Sequence, residues 1–418
     1  MREAYPCPAA RNSPARLSRR GGDGYAWPMH SDRAAPDADQ YRLLHIAAFM
    51  ALFVIGTYAG SFGPALPFFS RDLGVSLDTA GLLLTALFLG SIASSATIAI
   101  ALHAHDTRAL TIVGLCAVIT GLLLMAVAPN WPLALTGGLL LGAGDGLMIA
   151  ALHILMAVTS RDVPSAMNKL NVFFAFGAIA GPIWTGAVLT ITDERTIAYA
   201  GLAAIAAIAL GVLLAATGPQ RERAAAADEP FHLPSNPTVW VMGGVLFLYV
   251  GAEFGLGAWV SSYTRETAHA GVFASALLAS GYWAALALGR VLTGVYFARG
   301  GEASLLVLVA AAGAGISALV LALSDGQVAL SAASVFGAGL FLGPLWPATV
   351  AIASEGSVAS ATAATVTMGN AGGLAIPWAQ GKVLVGAGPT QGVAVTAVLC
   401  GLMFVIVAGF RARRERAL

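Results

Sequence analysis

The chain has 418 residues, of which 58% are hydrophobic and only 10% are charged, and its formal net charge is +1. Soluble domains are about 25% charged, so this composition excludes a soluble protein and predicts an integral membrane protein. The small net charge excludes nucleic acid as a partner. Cys7, Cys116 and Cys400 are too scattered for a disulfide framework or a metal site, and we expect neither a metal nor a cofactor.

The first 42 residues differ in composition from the rest of the chain. They are rich in Arg, Pro, Asp, Gly and Ala, and they contain no apolar stretch of the kind that a secretory signal needs. We therefore interpret residues 1–42 as a disordered cytoplasmic tail.

Apolar segments then follow one another to the end of the chain. A helix that spans a membrane needs about 20 mostly apolar residues, and twelve segments meet this length. They lie near residues 43–69, 79–102, 109–129, 132–159, 166–190, 197–217, 238–263, 272–297, 303–323, 327–353, 359–386 and 390–410. The longest polar interruption, residues 218–237, predicts a cytoplasmic linker between six-helix bundles at 43–217 and 238–410. Residues 411–418 form a second cytoplasmic tail.

Lys and Arg residues are concentrated on one side of the predicted spans. The N-terminal tail, the loops after even-numbered spans and the C-terminal tail together hold seventeen of them. The opposite loops hold three, which are Arg71, Arg195 and Arg265. Because the loops rich in Lys and Arg stay in the cytoplasm, we predict a multi-pass protein of the cell membrane with both termini in the cytoplasm.

The two predicted bundles repeat each other at a constant offset of 195 residues. A parallel repeat of six spans is a transporter architecture with its substrate site near mid-membrane, between the halves. At this offset Glu253 corresponds to Tyr58, so we predict that these two side chains face each other across a central cavity. The matching segments are Gly56 and Gly60 with Gly251 and Gly255, residues 142–144 with 337–339, and residues 177–189 with 372–384.

Four segments resemble motifs of a known family. They are Tyr249-Val-Gly-Ala-Glu-Phe-Gly-Leu-Gly-Ala-Trp259 in span 7, residues 167–182 in span 5, Gly289-Arg-Val-Leu-Thr-Gly294 in span 8 and Gly343-Pro-Leu-Trp-Pro347 in span 10. In these segments the chain resembles the major facilitator superfamily and, within it, the fucose permease-like branch of sugar:proton symporters. The resemblance implies an all-α membrane fold of twelve helices in two pseudo-symmetric halves.

The sequence departs from the pattern of that branch in three places. Span 1 contains no carboxylate, although some members of the branch use one there. Asn171 stands where many members of the branch carry His. The charged loop that follows span 2 in the superfamily is reduced to residues 101–108, in which Asp106 and Arg108 are the candidate gating residues.

Glu253 is the most informative polar residue in the spans. It lies near the middle of span 7, where a carboxylate is costly and is usually kept for binding, proton movement or a water-filled path. A protonated acid donates one hydrogen bond whereas a carboxylate only accepts them, so proton occupancy can be coupled to the binding of a hydroxylated substrate. The alternative is a structural partner for a hydroxyl group or for Arg290, which is also a candidate gating residue.

Asp145 is the second carboxylate deep inside a span. Gly144 and Gly146 flank it, so another backbone can approach closely there. His153 lies eight residues further on, near the same helix face, and the two could form a proton relay. The alternative is that His153 is a packed neutral imidazole.

Sugar sites combine a few polar groups with aromatic faces in a mostly apolar pocket. The competing explanations are helix–helix hydrogen bonds for the amides and an interfacial aromatic belt for the tryptophans. Lys382, near the outer end of span 11, is expected to extend towards the membrane surface. The candidate substrate contacts are Asn171, Asn370, Gln380, Trp259, Trp283, Trp346 and Trp378.

The sequence leaves three classes of function as alternatives. The first is a proton-coupled sugar symporter, with a small solute, protons and the lipid bilayer as partners and a monomer as the expected state. The second is a proton-driven exporter of drugs or metabolites, because Gly177, Gly181, Pro182 and Gly186 partly resemble an antiporter motif. The third, an integral-membrane enzyme or a sensor, is disfavoured because no hydrolase, metalloprotease or P-loop pattern occurs.

Overall fold

The computed structural model describes residues 41–217, 235–355 and 358–417. The tail predicted at 1–42 and the linker predicted at 218–237 therefore lie almost wholly outside the described residues. The described residues are mostly helical, and the helices are α1 (Arg42–Leu73), α2 (Leu77–Ala80), α3 (Leu82–Ala104), α4 (Thr107–Val127), α5 (Trp131–Thr159), α6 (Val163–Thr192), α7 (Arg195–Ala215), α8 (Pro237–Thr267), α9 (Val272–Ala298), α10 (Ala303–Ala322), α11 (Val328–Leu342), α12 (Leu345–Ala353), α13 (Val358–Ala387) and α14 (Pro389–Ala417).

These helices confirm the predicted all-α membrane fold. Among the described residues, eleven helical segments are long and apolar enough to cross a membrane. They include α2 with α3 as one crossing and α11 with α12 as another. The remaining predicted span is α13, which has 30 residues but is less apolar because Asn370, Gln380 and Lys382 lie in it.

Two of the predicted spans are interrupted where the sequence favours a break. Gly81 separates the single turn of α2 from α3. Gly343 and Pro344 separate α11 from α12, because proline lacks a backbone N–H and its ring clashes with the carbonyl four residues earlier. Prolines inside α1, α6 and α13 do not end those helices, and neighbouring helices are known to make such positions tolerable in membranes.

The buried residues form two main apolar clusters, one built mostly from α1–α7 and the other mostly from α8–α14. We call these sets of helices the first half and the second half. Helix pairs in the first half recur in the second half: α1 packs on α6 as α8 packs on α13, and α4 packs on α7 as α10 packs on α14. The repeat seen in the sequence is thus also a repeat in packing.

Contacts between the halves are concentrated in one part of the helices. We call the face at which α1 begins and α14 ends the terminal face, and the opposite one the far face. Thr85 donates a hydrogen bond to the Leu374 carbonyl (2.8 Å), and Ser280 donates one to the Ile179 carbonyl (2.6 Å). Among the described residues, every hydrogen bond and ion pair between the halves lies between mid-helix and the far face.

Candidate functional site

A polar cluster in the first half surrounds Asp145 of α5. The hydroxyl of Tyr58, on α1, donates a hydrogen bond to Asp145 Oδ1 at 2.6 Å. The hydroxyl of Ser91, on α3, donates one to Oδ2 at 3.0 Å. Tyr58 is 1% exposed, and Asp145 is half-buried. Three helices of the first half therefore meet at one carboxylate.

The glycines beside Asp145 explain how it reaches these partners. Gly144 lies against the backbone of α4 at Gly114, and Gly146 lies against α3 at the Ser91 carbonyl. A side chain at either position would collide with those atoms, so both glycines are required for the close approach of α5. The predicted close backbone contact is confirmed, and it places the Asp145 carboxylate beside Ser91.

A second polar cluster, in the second half, surrounds Glu253 of α8. Arg290 Nη2, on α9, lies 2.8 Å from Glu253 Oε1 and also donates to the Tyr249 hydroxyl at 3.2 Å. Tyr282 donates to the Glu253 backbone carbonyl at 2.9 Å. The Glu253 side chain is 4% exposed, whereas that of Arg290 is 30% exposed. Trp346 of α12 packs edge-on against Tyr249, with 6.3 Å between ring centroids.

The two clusters lie at equivalent depths in the repeat. Tyr58 is the seventeenth residue of α1, and Glu253 is the seventeenth residue of α8. At 1.5 Å per residue, each lies about 24 Å along its helix. Each side chain has its closest partners within its own half, and a direct approach of Tyr58 to Glu253 across a cavity stays a prediction.

The two acids differ in charge compensation. Glu253 has a guanidinium group at hydrogen-bond distance. Asp145 receives two hydroxyl hydrogen bonds, and in the described part of the chain no Lys or Arg forms an ion pair with it. A carboxylate without a counter-ion is costly at membrane depth, and protonation removes that cost.

His153 makes no direct contact with Asp145. Its Nδ1 lies 2.6 Å from the carbonyl of Ile149, one turn earlier in the same helix. Eight residues separate His153 from Asp145, which is about 12 Å along a helix. A relay between them would need an intermediate group, and the contact with Ile149 matches the alternative of a packed imidazole.

The tryptophan candidates fall into different environments. Trp346 contacts the Glu253 cluster through Tyr249. Trp283 is almost fully buried beside Phe254, and its indole N–H has no partner among the described residues. Trp259 is fully buried and donates to the Pro377 carbonyl at 2.7 Å, so it joins α8 to α13. Trp378 is half-buried near the far face.

The amide candidates are also separated from one another. Gln380 is fully buried, donates to the Thr396 hydroxyl at 3.2 Å and packs against Gly255, so it serves helix packing in this conformation. Asn171 is exposed and donates to the Met167 carbonyl of its own helix at 3.1 Å. Asn370 is half-buried and has no side-chain hydrogen bond to a described residue, which leaves its amide available.

The gating candidates of the first half have local partners. Asp106 is the N-cap of α4 and accepts a hydrogen bond from the Ala109 backbone N–H at 2.6 Å. Arg108 donates to the carbonyls of Leu213 and Leu214 at 3.2 and 3.1 Å. Both contacts stay within the first half, and a gating role for either residue stays a prediction.

That Lys382 extends towards the membrane surface stays a prediction, but its side chain also has a partner that the sequence did not indicate. Its Nζ lies 2.6 Å from Asp78 Oδ2 on α2, so the lysine pairs with the other half of the molecule while its side chain remains 54% exposed. Sequence reasoning missed Asp78 because it precedes the predicted start of span 2. It also missed Ser91, since a lone serine in an apolar span carries no distinctive signal. Tyr249 stood in the quoted span-7 motif without an assigned role.

Comparisons with known proteins agree on the type of fold. A family model described as Major Facilitator Superfamily matches residues 48–377. The nucleoside transporter NupG superposes with a TM-score of 0.74 at 13% identity, covering 89% of this chain and 98% of that one. The fucose:proton symporter FucP of E. coli has a TM-score of 0.61 at 17% identity, covering 88% and 98%. A D-xylose-proton symporter has a TM-score of 0.71 at 13% identity, covering 88% and 97%.

Two curated proteins match a smaller part of the chain. Bypass of stop codon protein 6 of Saccharomyces cerevisiae is 29% identical over 188 residues, which is 42% of this chain and 37% of that protein. MFS transporter L2 of a Phoma species is 27% identical over 185 residues, covering 42% and 31%. The match spans about a third of the length of these relatives. At the identities of the solved structures, the likeness concerns the fold.

Proposed function

The chain belongs to the Major Facilitator Superfamily and is a multi-pass membrane transporter, and from this premise we propose that it moves a small polar solute, with sugars as the first class to test, by proton-coupled alternating access. The observation that carries the proposal is the pair of acid clusters, one in each half, in which Glu253 has a cationic partner and Asp145 has none among the described residues. That arrangement supplies one group that can exchange a proton and one that keeps its charge.

Asp145 is the proposed proton site. Its partners are two hydroxyl groups, which stabilise a carboxylate less than a guanidinium does. Without a nearby cation, proton binding removes the cost of a charge at membrane depth. When Asp145 is protonated, its carboxyl group can donate a hydrogen bond, which changes what Tyr58 and Ser91 can offer to a substrate.

The Glu253 cluster is the proposed substrate contact in the second half. Glu253 and Arg290 offer an acceptor and donors side by side, and Tyr249 and Trp346 add aromatic faces. Adjacent hydroxyl groups of a sugar need this combination of paired polar groups and a flat apolar face. Two of the solved structures of the same fold are symporters of fucose and of xylose with protons, which supports testing sugars first.

The orientation follows from the charges and the contacts together. Because Lys and Arg favour the cytoplasm, the terminal face is the proposed cytoplasmic face of the cell membrane. The hydrogen bonds and the ion pair between the halves lie towards the far face. In this proposal the described conformation is closed to the outside.

The decisive experiment is uptake into proteoliposomes with an imposed proton gradient, with a panel of radiolabelled sugars and nucleosides. We expect accumulation of at least one solute that disappears when an ionophore removes the gradient. Asp145→Asn should abolish accumulation but retain exchange of labelled for unlabelled solute at equal concentrations, because an amide cannot take up the proton. Glu253→Gln should weaken both activities. Accumulation by Asp145→Asn equal to the wild type would exclude the proposed proton site.

Export of drugs or metabolites remains the second candidate function. The glycines of the partial antiporter motif have a structural explanation, because Gly177 and Gly181 of α6 lie against the α1 backbone at Phe53 and Thr57. The motif therefore gives export no independent support. Resistance profiling of an overexpressing strain tests it, and resistance that depends on Asp145, without sugar or nucleoside accumulation, would favour it.

A further inference from the structure

Among the described residues, one ion pair joins the two halves at the far face. Asp78 lies on α2, the single turn that follows α1, and Lys382 lies on α13 of the second half. Their charged atoms are 2.6 Å apart, and the Asp78 side chain is 6% exposed. Among the described residues it is the one ion pair that joins α1–α7 to α8–α14. All other described ion pairs lie within a half.

Packing around the pair fixes its position. The Trp259 ring of the second half lies between Gly81, just after α2, and Gly381, just before Lys382. The ring belongs to the apolar cluster of the first half, and its N–H is held by the Pro377 carbonyl. Glycine is needed at both positions because a side chain would collide with the ring.

The ammonium group of Lys382 is held from two sides. Asp78 provides the carboxylate, and the Trp378 ring, one turn earlier on α13, lies with its centroid 5.7 Å from Nζ. Cations are attracted to the face of a tryptophan ring at this distance. The Trp378 ring therefore helps to hold the ammonium group next to Asp78, although the Lys382 side chain remains 54% exposed.

Most other contacts between the halves involve no charged group; the exception is the Arg265 guanidinium of α8, which lies 5.7 Å from the Phe68 ring centroid of α1. Thr85 and Ser280 donate to backbone carbonyls, while Gly63 lies against the Gly257 backbone and Gly186 lies against Ala276. Such contacts are short in range and require close packing. An ion pair responds to a single change of charge, so it is the contact by which the closed far face can be weakened without a change of shape.

From these contacts we propose that the Asp78–Lys382 ion pair is the latch of the far-face gate. The proposal depends on alternating access, which is part of the proposed function, but not on the substrate or the coupling ion. The pair must break when the far face opens, because its members lie on different halves. Its strength then sets the ratio of closed to open molecules at that face, since a contact made in one state favours only that state.

The test measures the distance across the far face in the full-length protein without substrate. Spin labels at Pro129→Cys and His269→Cys, both exposed positions in far-face loops of opposite halves, report the separation in lipid nanodiscs after replacement of the native cysteines. Asp78→Asn and Lys382→Gln should each raise the population with the longer distance about two- to fivefold, the range of a partly exposed ion pair. The double charge reversal, Asp78→Lys with Lys382→Asp, should restore much of the short-distance population.

A matched control lies on the same face. Arg71 and Asp193 form an ion pair within the first half at 2.8 Å, and Asp193→Asn keeps a residue type that tolerates its positive φ of 57°. This variant should leave the distance distribution unchanged. Unchanged distances in both single latch variants, or an equal shift in Asp193→Asn, would overturn the proposal. Failure of sugar transport with the expected shifts would count against the proposed function alone, because the distances are measured without substrate.

Discussion

The Asp145 and Glu253 clusters lie at equivalent depths in the repeated halves, but different groups stabilise the two carboxylates. Asp145 is held by hydroxyls from α1 and α3, whereas Glu253 is held by a guanidinium from α9. At the repeat offset, Arg290 corresponds to Ser95 and Asp145 to Leu340. Duplicated helices therefore preserve the packing frame while the polar residues diverge, and this divergence can separate a proton site from a substrate contact.

The largest expected effect concerns the counter-ion of Glu253. Arg290→Ala leaves a nearly buried carboxylate without its cation, and we expect a loss of about 3 kcal/mol of stability because breaking one side of a buried pair leaves an uncompensated charge. Arg290→Ala with Glu253→Gln should recover most of it. Thermal unfolding of the purified variants measures both, and no recovery in the double variant would show that Arg290 acts through packing instead.

The second effect concerns the glycines that the halves share. A side chain at Gly56 would meet the backbone of α6 at Phe174 and Ala178, whereas one at the equivalent Gly251 would meet the Ile376 side chain. Backbone cannot move aside as a side chain can, so Gly56→Ala should cost about 2 kcal/mol and Gly251→Ala about 1 kcal/mol. Equal losses in a denaturant titration would mean that both helix pairs relax alike.

The third effect is the stability lost when the hydroxyl group of Tyr58 or of Tyr249, each beside one of the two acids, is removed. Tyr58→Phe removes the 2.6 Å hydrogen bond to Asp145, and we expect a loss of about 1.5 kcal/mol, the lower end for a hydrogen bond to a charged group. Tyr249→Phe removes a 3.2 Å contact with Arg290, which keeps its bond to Glu253, so we expect a smaller loss. Thermal unfolding over a series of pH values measures the difference. A larger loss for Tyr249→Phe would reverse the assignment of the less compensated acid.

The smallest effect concerns the helix starts. Asp106 caps α4 with its side chain, while Glu302, before α10, makes no cap bond and contacts Arg411 and Ser304 instead. Asp106→Ala should lower stability by about 1 kcal/mol without affecting transport, and the matched Glu302→Ala should have a smaller effect. A loss of transport by Asp106→Ala at unchanged stability would instead support the predicted gating role.

The membrane-spanning helices and their repeat could be predicted from residue patterns. Apolar length predicted the spans to within a few residues, because crossing a bilayer sets a minimum length for a helix. The interruption of span 10 was not predicted, although Gly343 and Pro344 explain it. The shared glycines indicated the repeat because they lie where α1 meets α6 and where α8 meets α13. These features depend on neighbouring residues or on a regular spacing, so they can be recognised in the sequence without the tertiary structure.

Most partners of the polar residues could not be predicted in the same way; the exception is Arg290, which the sequence analysis offered as one alternative partner of Glu253. Asp145 was paired in prediction with His153 on its own helix, but its described partners are Tyr58 and Ser91, which are 87 and 54 residues away in sequence. Lys382 was predicted to extend towards the membrane surface because it lies near the outer end of span 11, and its partner Asp78 comes from the other half. Such pairs depend on which helix faces are brought together.

The sequence by itself determined that this chain crosses a membrane many times, that its helices are repeated and that two carboxylates lie deep inside them. Composition and spacing suffice for this, because a bilayer accepts only helices that satisfy their own backbone hydrogen bonds. Tertiary structure alone decided that Arg290 compensates Glu253, that two hydroxyls hold Asp145 and that Lys382 joins the halves. The physical reason is that compensation of a buried charge is set within a few ångströms, and distances of that kind arise only after the helices pack.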